Sequence, residues 1–347
     1  MPINVRPGVY SSIDVKSAAR GLAGGKTVGV AALAASGAEQ TAARILSHDQ
    51  AKELFGEGSN LTELIRILFL NGAYAVQAVP IVKEEATVQD YAAAFETLIE
   101  REDVSIMLCD STASSVHAAL REAILGAGEN SKYRIGIIEG TGTVSAVCAA
   151  AESLNCERIA MIYTARREEL ESFAQTAAAV AGALSAPGDP ALPINGAELF
   201  GTVGAARRFT DSELIALVDA GVTPVELAGE AVSVVRGLTT RTSTGDQRDA
   251  TWRELTTVLI IDEVVPAVRA ALRARFPRVK NTTQTRGAIR TLTTITLENY
   301  LKREIIDSYG AVSAQADEND PTACIVSFDF TPAHGLNFIR LSAQITV

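Results

Sequence analysis

Residues 104–138 read VSIMLCDSTASSVHAALREAILGAGENSKYRIGII, and this stretch decides the fold. Val104 to Cys109 is apolar apart from Ser105, so an extended segment here is apolar on both faces. Asp110 and Ser111 interrupt it, a helix-like run follows over 114–125, and a second apolar run begins at Arg134 and ends at Ile138. Strands apolar on both faces and separated by a helix indicate a parallel sheet covered on both sides.

The same grammar extends in both directions from this core, between Lys26 and about residue 220. Strand-like runs occupy 27–34, 73–82 and 158–163, and helix-like runs occupy 48–55, 61–70, 88–101, 143–154 and 168–183. Residues 185–193 hold three prolines and read as a loop. After Gly221 the pattern changes. A β-like run covers 231–242. A helix over 250–275 carries Trp252, Leu255, Val258 and Leu259 in one stripe and is bent or divided at Pro266. A second long helix is predicted over 285–308, with Ile289, Leu292, Ile295, Leu301 and Ile305 as core contacts.

Both ends of the chain read as strands. Pro2 and Pro7 oppose helix, and Val9, Ser11, Ile13 and Val15 alternate with Tyr10, Ser12, Asp14 and Lys16. A Gly- and Ala-rich stretch over 18–25 then acts as a joint. Near the other end, Cys324, Val326, Phe328 and Phe330 share a face. Ile339, Leu341, Ala343, Ile345 and Val347 then alternate with polar residues in a strand over 338–347. That strand is expected to pair within the subunit or with a neighbour, because unpaired chain ends fray. The reading is thus an α/β protein in three parts: an extended N-terminal arm and hinge (1–22), a doubly wound outer domain (23–220), and a smaller α+β inner domain (221–347), completed by the terminal β arms.

Composition narrows the function. The chain has 347 residues, 47% of them hydrophobic, which excludes global disorder. Its net charge of −10 argues against nucleic acid as the main partner. No apolar run reaches the roughly 20 residues needed to span a bilayer, and the first residues lack the pattern of a signal peptide, so folding in the cytoplasm is expected. Cys109, Cys148, Cys156 and Cys324 form no CxxC pair, and with His48, His117 and His334 they offer no metal-ligand spacing. Against the overall acidity, Arg269, Arg273, Arg275, Arg278 and Lys280 form a run free of acids, either a solvated helix end or a partner surface.

Three motifs invite a catalytic reading. Gly24, Gly25, Lys26 and Thr27 resemble a P-loop end, but Arg20 stands where its glycine belongs and the motif precedes a strand. Gly140, Gly142 and Ser145, between a strand and a helix, resemble a dinucleotide fingerprint. Ser145 replaces the third small residue, no acid follows the next strand, and a turn capped by Thr141 or Thr143 explains the same residues. Cys109, Asp110, Ser111 and His117 lack an identifiable third group, and Asp110 and Ser111 read as helix caps.

Several stretches together resemble the contractile tail sheath family: Pro7-Gly8-Val9-Tyr10 before an alternating strand, the strand at 27–33, AKELFG at 51–56 and LFLNG at 68–72. The likeness continues through Gly221-Val222-Thr223-Pro224, GLTTRT at 237–242, the tryptophan-led helix, the long helix through Tyr300-Leu301 and the last strand. The resemblance implies a structural subunit without catalytic residue, cofactor or metal. It implies hexameric rings stacked as a helical polymer around a tail tube protein, with baseplate and tail terminator proteins as further partners. The place of action is a virion or phage-tail-like particle assembled in a bacterial cytoplasm, with neither nucleic acid nor membrane insertion. Val9, Ile13, Val15, Phe338, Ile339, Leu341, Ala343, Ile345 and Val347 would form the inter-subunit arms, and the basic run would face the tube. The competing expectation is a doubly wound enzyme that binds a nucleotide or small ligand at the turn 140–145.

Overall fold

A computed structural model describes residues 26–165, 174–186, 188–202, 207–337 and 340–344. The first strand, β1 (Thr27–Leu33), is followed by β2 (Ala43–Ile45), α1 (His48–Phe55), α2 (Asn60–Leu70), β3 (Val76–Ile81), α3 (Val88–Ile99) and β4 (Val104–Cys109). Next come α4 (Ser114–Glu129), β5 (Ile135–Glu139), α5 (Val144–Leu154), β6 (Ile159–Thr164) and α6 (Gln175–Ser185). The expected helix over 168–183 is met by α6 as far as it falls on described residues.

Two further strands extend the sheet beyond the boundary expected at 220. β7 (Glu198–Leu199), α7 (Asp211–Asp219), β8 (Val222–Ala228) and β9 (Ala231–Val234) complete a nine-stranded sheet of order β2-β3-β1-β4-β5-β6-β8-β9-β7. β8 lies parallel to β6, with Met161 opposite Val222, so the chain re-enters the sheet where the sequence suggested a new domain. Gly221 makes that re-entry: its φ is +75°, and a Cβ there would sit 2.5 Å from the Thr239 carbonyl oxygen. A side chain is excluded by both space and backbone conformation.

Strands β1, β3, β4, β5, β6 and most of β8 are buried on both faces, and alternate residues feed two cores. Val28, Val30, Ala32, Ala160 and Ile162 join α1, α2, α6 and the start of the next long helix in one core. Ala31, Ile159, Met161 and Tyr163 join α3, α4, α5 and α7 in the other. Helix α6 is buried from Gln175 to Gly182, which accounts for its alanines. A Cβ on Gly182 would lie 2.7 Å from the Leu68 carbonyl, so α6 and α2 approach through that glycine.

Beyond β9, β10 (Ser243–Thr244) and β11 (Gln247–Arg248) form a small hairpin, and α8 (Leu255–Arg275) and α9 (Thr283–Lys302) pack together. A third core holds Ile260, Val264, Val268, Leu297, Tyr300, Ile305 and Ile306. The second long helix is shorter than expected. It stops at Lys302, Glu304 takes a left-handed φ of 58°, and β12 (Ile306–Tyr309) begins at once. Its buried stripe is Thr293, Leu297 and Tyr300, while Ile295 and Leu301 are 47% and 37% exposed, against expectation. Thr293 can be buried because its hydroxyl donates to the Ile289 carbonyl at 3.0 Å, one turn back. β13 (Ser313–Ala316), β14 (Cys324–Ser327) and β15 (Phe330–Pro332) complete the described strands.

At the crossing where β1 lies between β3 and β4, a carboxylate staples four elements. Asp110 accepts from the Leu33 backbone at 3.1 Å, the Asn60 amide at 2.8 Å and the Tyr91 hydroxyl at 2.6 Å. Asp110 therefore does not cap α4, whose N-cap, Ala113, makes no side-chain cap bond, while the Ser111 hydroxyl accepts from the Ala113 amide. Asp110→Ala should leave three buried or half-buried donors without their acceptor and cost about 3 kcal/mol, at 1–3 kcal/mol per orphaned group. Urea unfolding measures it, and a loss under about 1 kcal/mol would remove the staple from the account.

Candidate assembly surface

The last described strands build one long antiparallel ribbon. β12 pairs with β15 and β13 with β14, and the Gly310 amide donates to the Asp329 carbonyl at 3.0 Å across the kink between the two pairs. A Cβ on Gly310 would meet the Asp329 carboxylate, which lies over the glycine at the kink. Cys324, Val326, Phe328 and Phe330 are all half-buried, as their alternation predicts, and the rings of Phe328 and Phe330 stack at 6.4 Å. Phe328, Phe330 and Tyr309 pack against the core shared by α8 and α9. Among the described residues, each strand of the ribbon has one edge without a partner strand. An isolated two-stranded ribbon is marginal in water, and its open edges are templates for further strands.

The chain leaves the ribbon toward the sheet. The Asn195 amide donates to the Asn337 side-chain oxygen at 2.5 Å, and Gly335 lies against Pro193. Residues 340–344 then form no strand with the described residues of the subunit; Leu341 is 94% exposed, and Ala343 is exposed as well. Over these residues, the strand expected at 338–347 therefore pairs with no described strand of its own subunit. Phe338, Ile339, Ile345 and Val347 lie outside the described residues, as do Val9, Ile13 and Val15 of the N-terminal arm.

The basic run divides in two. Arg273, Arg275, Arg278 and Lys280 are exposed at the end of α8 and in the turn beyond, and none makes an ion pair with a described residue. Arg269 points back instead, its guanidinium 5.7 Å from the Tyr133 ring centre. The turn is hooked to the ribbon's tip: the Asn281 amide donates to the carbonyls of Pro321 at 2.9 Å and Ala323 at 2.8 Å. The tip carries Asp317, Glu318 and Asp320, so a basic turn and an acidic loop stand side by side. Asn281 escaped the sequence reading, since one asparagine in a turn carries no spacing signal. The partner strand β12 was missed because Leu301 and Ile305 extend a helical spacing past the true helix end, and β13, SAQA, carries no apolar alternation strong enough to mark it.

The motifs with catalytic overtones resolve into packing. In the turn 140–145, the Thr143 hydroxyl accepts from the Ala146 amide at 3.3 Å, as the capping alternative expected. Gly142 has φ +97°, and its carbonyl accepts from the Tyr163 hydroxyl at 2.8 Å. A Cβ on Gly140 would meet Val147 at 2.8 Å, so that glycine serves helix–strand packing. Burial lowers the pKa of His117 to about 4, and its Nε2 lies 3.1 Å from the Ser111 carbonyl. The unfolded chain takes up that proton near pH 6.5 and the folded one only near 4, so His117 contributes stability that fades as pH falls through this window. Burial pushes the Cys109 thiol well up, away from a reactive thiolate. Among the described residues, no group of three or more His, Cys, Asp or Glu side chains could hold a metal.

The chain matches two family descriptions. Residues 84–240 match the phage tail sheath protein central domain, and residues 247–346 match the phage tail sheath C-terminal domain. No curated protein matches. Among solved structures, the chain is similar to the contracted helical sheath of the anti-feeding prophage, with 16% identity, a TM-score of 0.73 and 99% of each chain covered. It is similar to the sheath tail protein of Desulfitobacterium hafniense, with 12% identity and a TM-score of 0.70, covering 94% of this chain and 100% of that one. It is also similar to the contracted sheath of the PVC extracellular contractile injection system, with 16% identity and a TM-score of 0.69, covering 100% of this chain and 99% of that one. Calorimetry with NAD, NADP or ATP should give no binding heat, because capping and packing already use the 140–145 turn; a micromolar dissociation constant would restore the enzyme reading.

Proposed function

The chain belongs to the phage tail sheath protein family, and we propose that it is the subunit of a contractile sheath: it assembles as stacked hexameric rings around a tail tube and contracts to drive that tube through a cell envelope. The observation that carries this reading is the ribbon with two open edges, beside a tail whose Leu341 is almost fully exposed. Strand addition to such an edge is a general recognition mode. About five ladder hydrogen bonds contribute roughly 5 kcal/mol at about 1 kcal/mol each, and apolar side chains seated beside them add more. Arms from neighbouring subunits would complete the small sheet and keep rings linked while subunits rotate. The roles of Val9, Ile13, Val15, Phe338, Ile339, Leu341, Ala343, Ile345 and Val347 follow from this. Baseplate and tail terminator proteins would bound the polymer within a virion or phage-tail-like particle assembled in the bacterial cytoplasm. The subunit's part is mechanical, not catalytic.

Within that assembly, Arg273, Arg275, Arg278 and Lys280 would face the tube as exposed cations that make no ion pair with a described residue. Reversing all four to Glu should leave cylinders intact and weaken co-sedimentation with tube. The wild-type attraction should fall as salt rises, since exposed charges are screened over about 8–10 Å near physiological ionic strength. Undiminished tube binding by the reversed variant would refute this contact.

The arms give the sharper test. Leu341→Pro removes a ladder donor and fixes φ, which a paired strand tolerates poorly, and Ile345→Lys places a charge on the seated face. Either change, or deletion of residues 1–16, should leave circular dichroism unchanged, because the large sheet has its own cores. Electron microscopy should then show no cylinders. Normal cylinders from the arm-deleted chain would overturn the linkage.

A further inference from the structure

The root of the C-terminal arm is tied to the rest of the chain at three points. Just past β15, the Ala333 amide donates to the Ile305 carbonyl at 3.1 Å. Two residues on, Gly335 runs against Pro193, where a Cβ would meet the ring at 2.9 Å. Two residues further, the Asn195 amide donates to the Asn337 side-chain oxygen at 2.5 Å. The direction of that last bond is set by its neighbour. The Asn195 oxygen accepts from the Gly237 backbone at 2.8 Å, and a backbone amide can only donate, so the Asn195 nitrogen faces Asn337. The loop that carries Asn195 belongs to the body of the large sheet. Ile194 is buried in the large core, and the Gly196 amide donates to the Val234 carbonyl of β9 at 2.7 Å. Ile194 also fills the space over Gly237, where a Cβ would lie 2.5 Å from its Cγ2, so this close approach needs a glycine.

The ribbon alone is a weak foundation for an arm. β15 meets β12 through three residue pairs, Ile306 with Pro332, Ser308 with Thr331 and Tyr309 with Phe330. A two-stranded pair is marginal in water, and tension on the chain end would open this one from Pro332, the pair nearest the arm. We propose that Asn195 and Asn337 form a clamp that roots the C-terminal arm on the nine-stranded sheet, so that the arm starts from a fixed point and tension on it bypasses the ribbon. Both are positioning residues for assembly. That role rests on the reading of residues 338–347 as an inter-subunit arm, which begins one residue past the clamp. The clamp itself is a property of the single chain.

Hydrogen exchange in the full-length chain, at concentrations too low for assembly, tests the clamp, and the urea resistance of cylinders tests its role. Asn337→Leu keeps the size of the side chain and removes the acceptor. Loss of one ordinary hydrogen bond should speed opening of the root about fivefold, read as exchange at the Ala333 amide, while the amides of β1 and β6 exchange as in the wild type. Asn337→Asp keeps an acceptor for the Asn195 amide and should restore the wild-type rate. Cylinders of Asn337→Leu should come apart at lower urea than those of the wild type or of Asn337→Asp. Equal Ala333 exchange in the wild type and Asn337→Leu, or no recovery in Asn337→Asp, would overturn the clamp. Faster exchange with unchanged urea resistance would overturn its role in assembly. A wild-type chain that forms no cylinders would overturn the sheath reading and that role with it, while the exchange rates still decide the clamp.

Discussion

Everything in this molecule depends on parallel strands that are buried on both faces. Neighbouring parallel strands cannot be joined by a tight turn, so each needs a crossover, and the crossovers here are helices. Those helices bury both faces of β1, β3, β4, β5 and β6, and they divide the apolar interior into two cores. The density of packing then dictates local composition. Helix α6 fits between the sheet and α2 only as a chain of alanines with Gly182 at the closest point. The alanines of α6 are a consequence of this layer.

Open α/β sheets usually bind ligands in the crevice beyond the carboxyl ends of their strands, where strand order reverses. Here the end of β4 at that crossing is occupied by the chain itself. Asp110 gathers donors from β1, α2 and α3, which closes the carboxyl ends of β1 and β4 with an internal network. Glu139 does a similar service at the end of β5, accepting from the first amides of α6 at 2.8 and 3.0 Å. Both carboxylates hold elements in place. A scaffold stiffened in this way suits a part that transmits force, and this agrees with membership of a family of structural sheath proteins.

The C-terminal portion follows a different logic. Its core is small, its ribbon has two strands, and α9 is richer in threonine than in leucine. Stability there comes from attachment: α8 shares its first turns with the large core, and Arg158 pairs with Asp262 across the junction. The pair is half-buried, so removing one partner leaves the other charge with only part of its solvation restored. Asn281 then hooks the turn of the helical pair to the ribbon's tip.

Much of this was legible in the residues. Period and apolarity determine a strand buried on both faces, because that pattern has few other uses, and β1, β4, β5 and β6 and the helices α1 to α5 lie where those patterns put them, within a few residues. The alternation of Cys324, Val326, Phe328 and Phe330 likewise marked a half-buried strand. The failures share a cause. The sequence showed a new grammar after Gly221, yet β8 and β9 belong to the large sheet, since strand partners are chosen by long-range pairing and not by local pattern. Ile295 and Leu301 have the spacing of core residues but face outward, because the position of α8 decides which face of α9 is covered. Asp110 looked like a helix cap and is a staple, because only the folded chain brings Leu33, Asn60 and Tyr91 to its oxygens. Local pattern specifies which segments become strands and helices. Which face each one buries, and which polar atoms meet, depends on partners far away in the chain, and only tertiary packing supplies them.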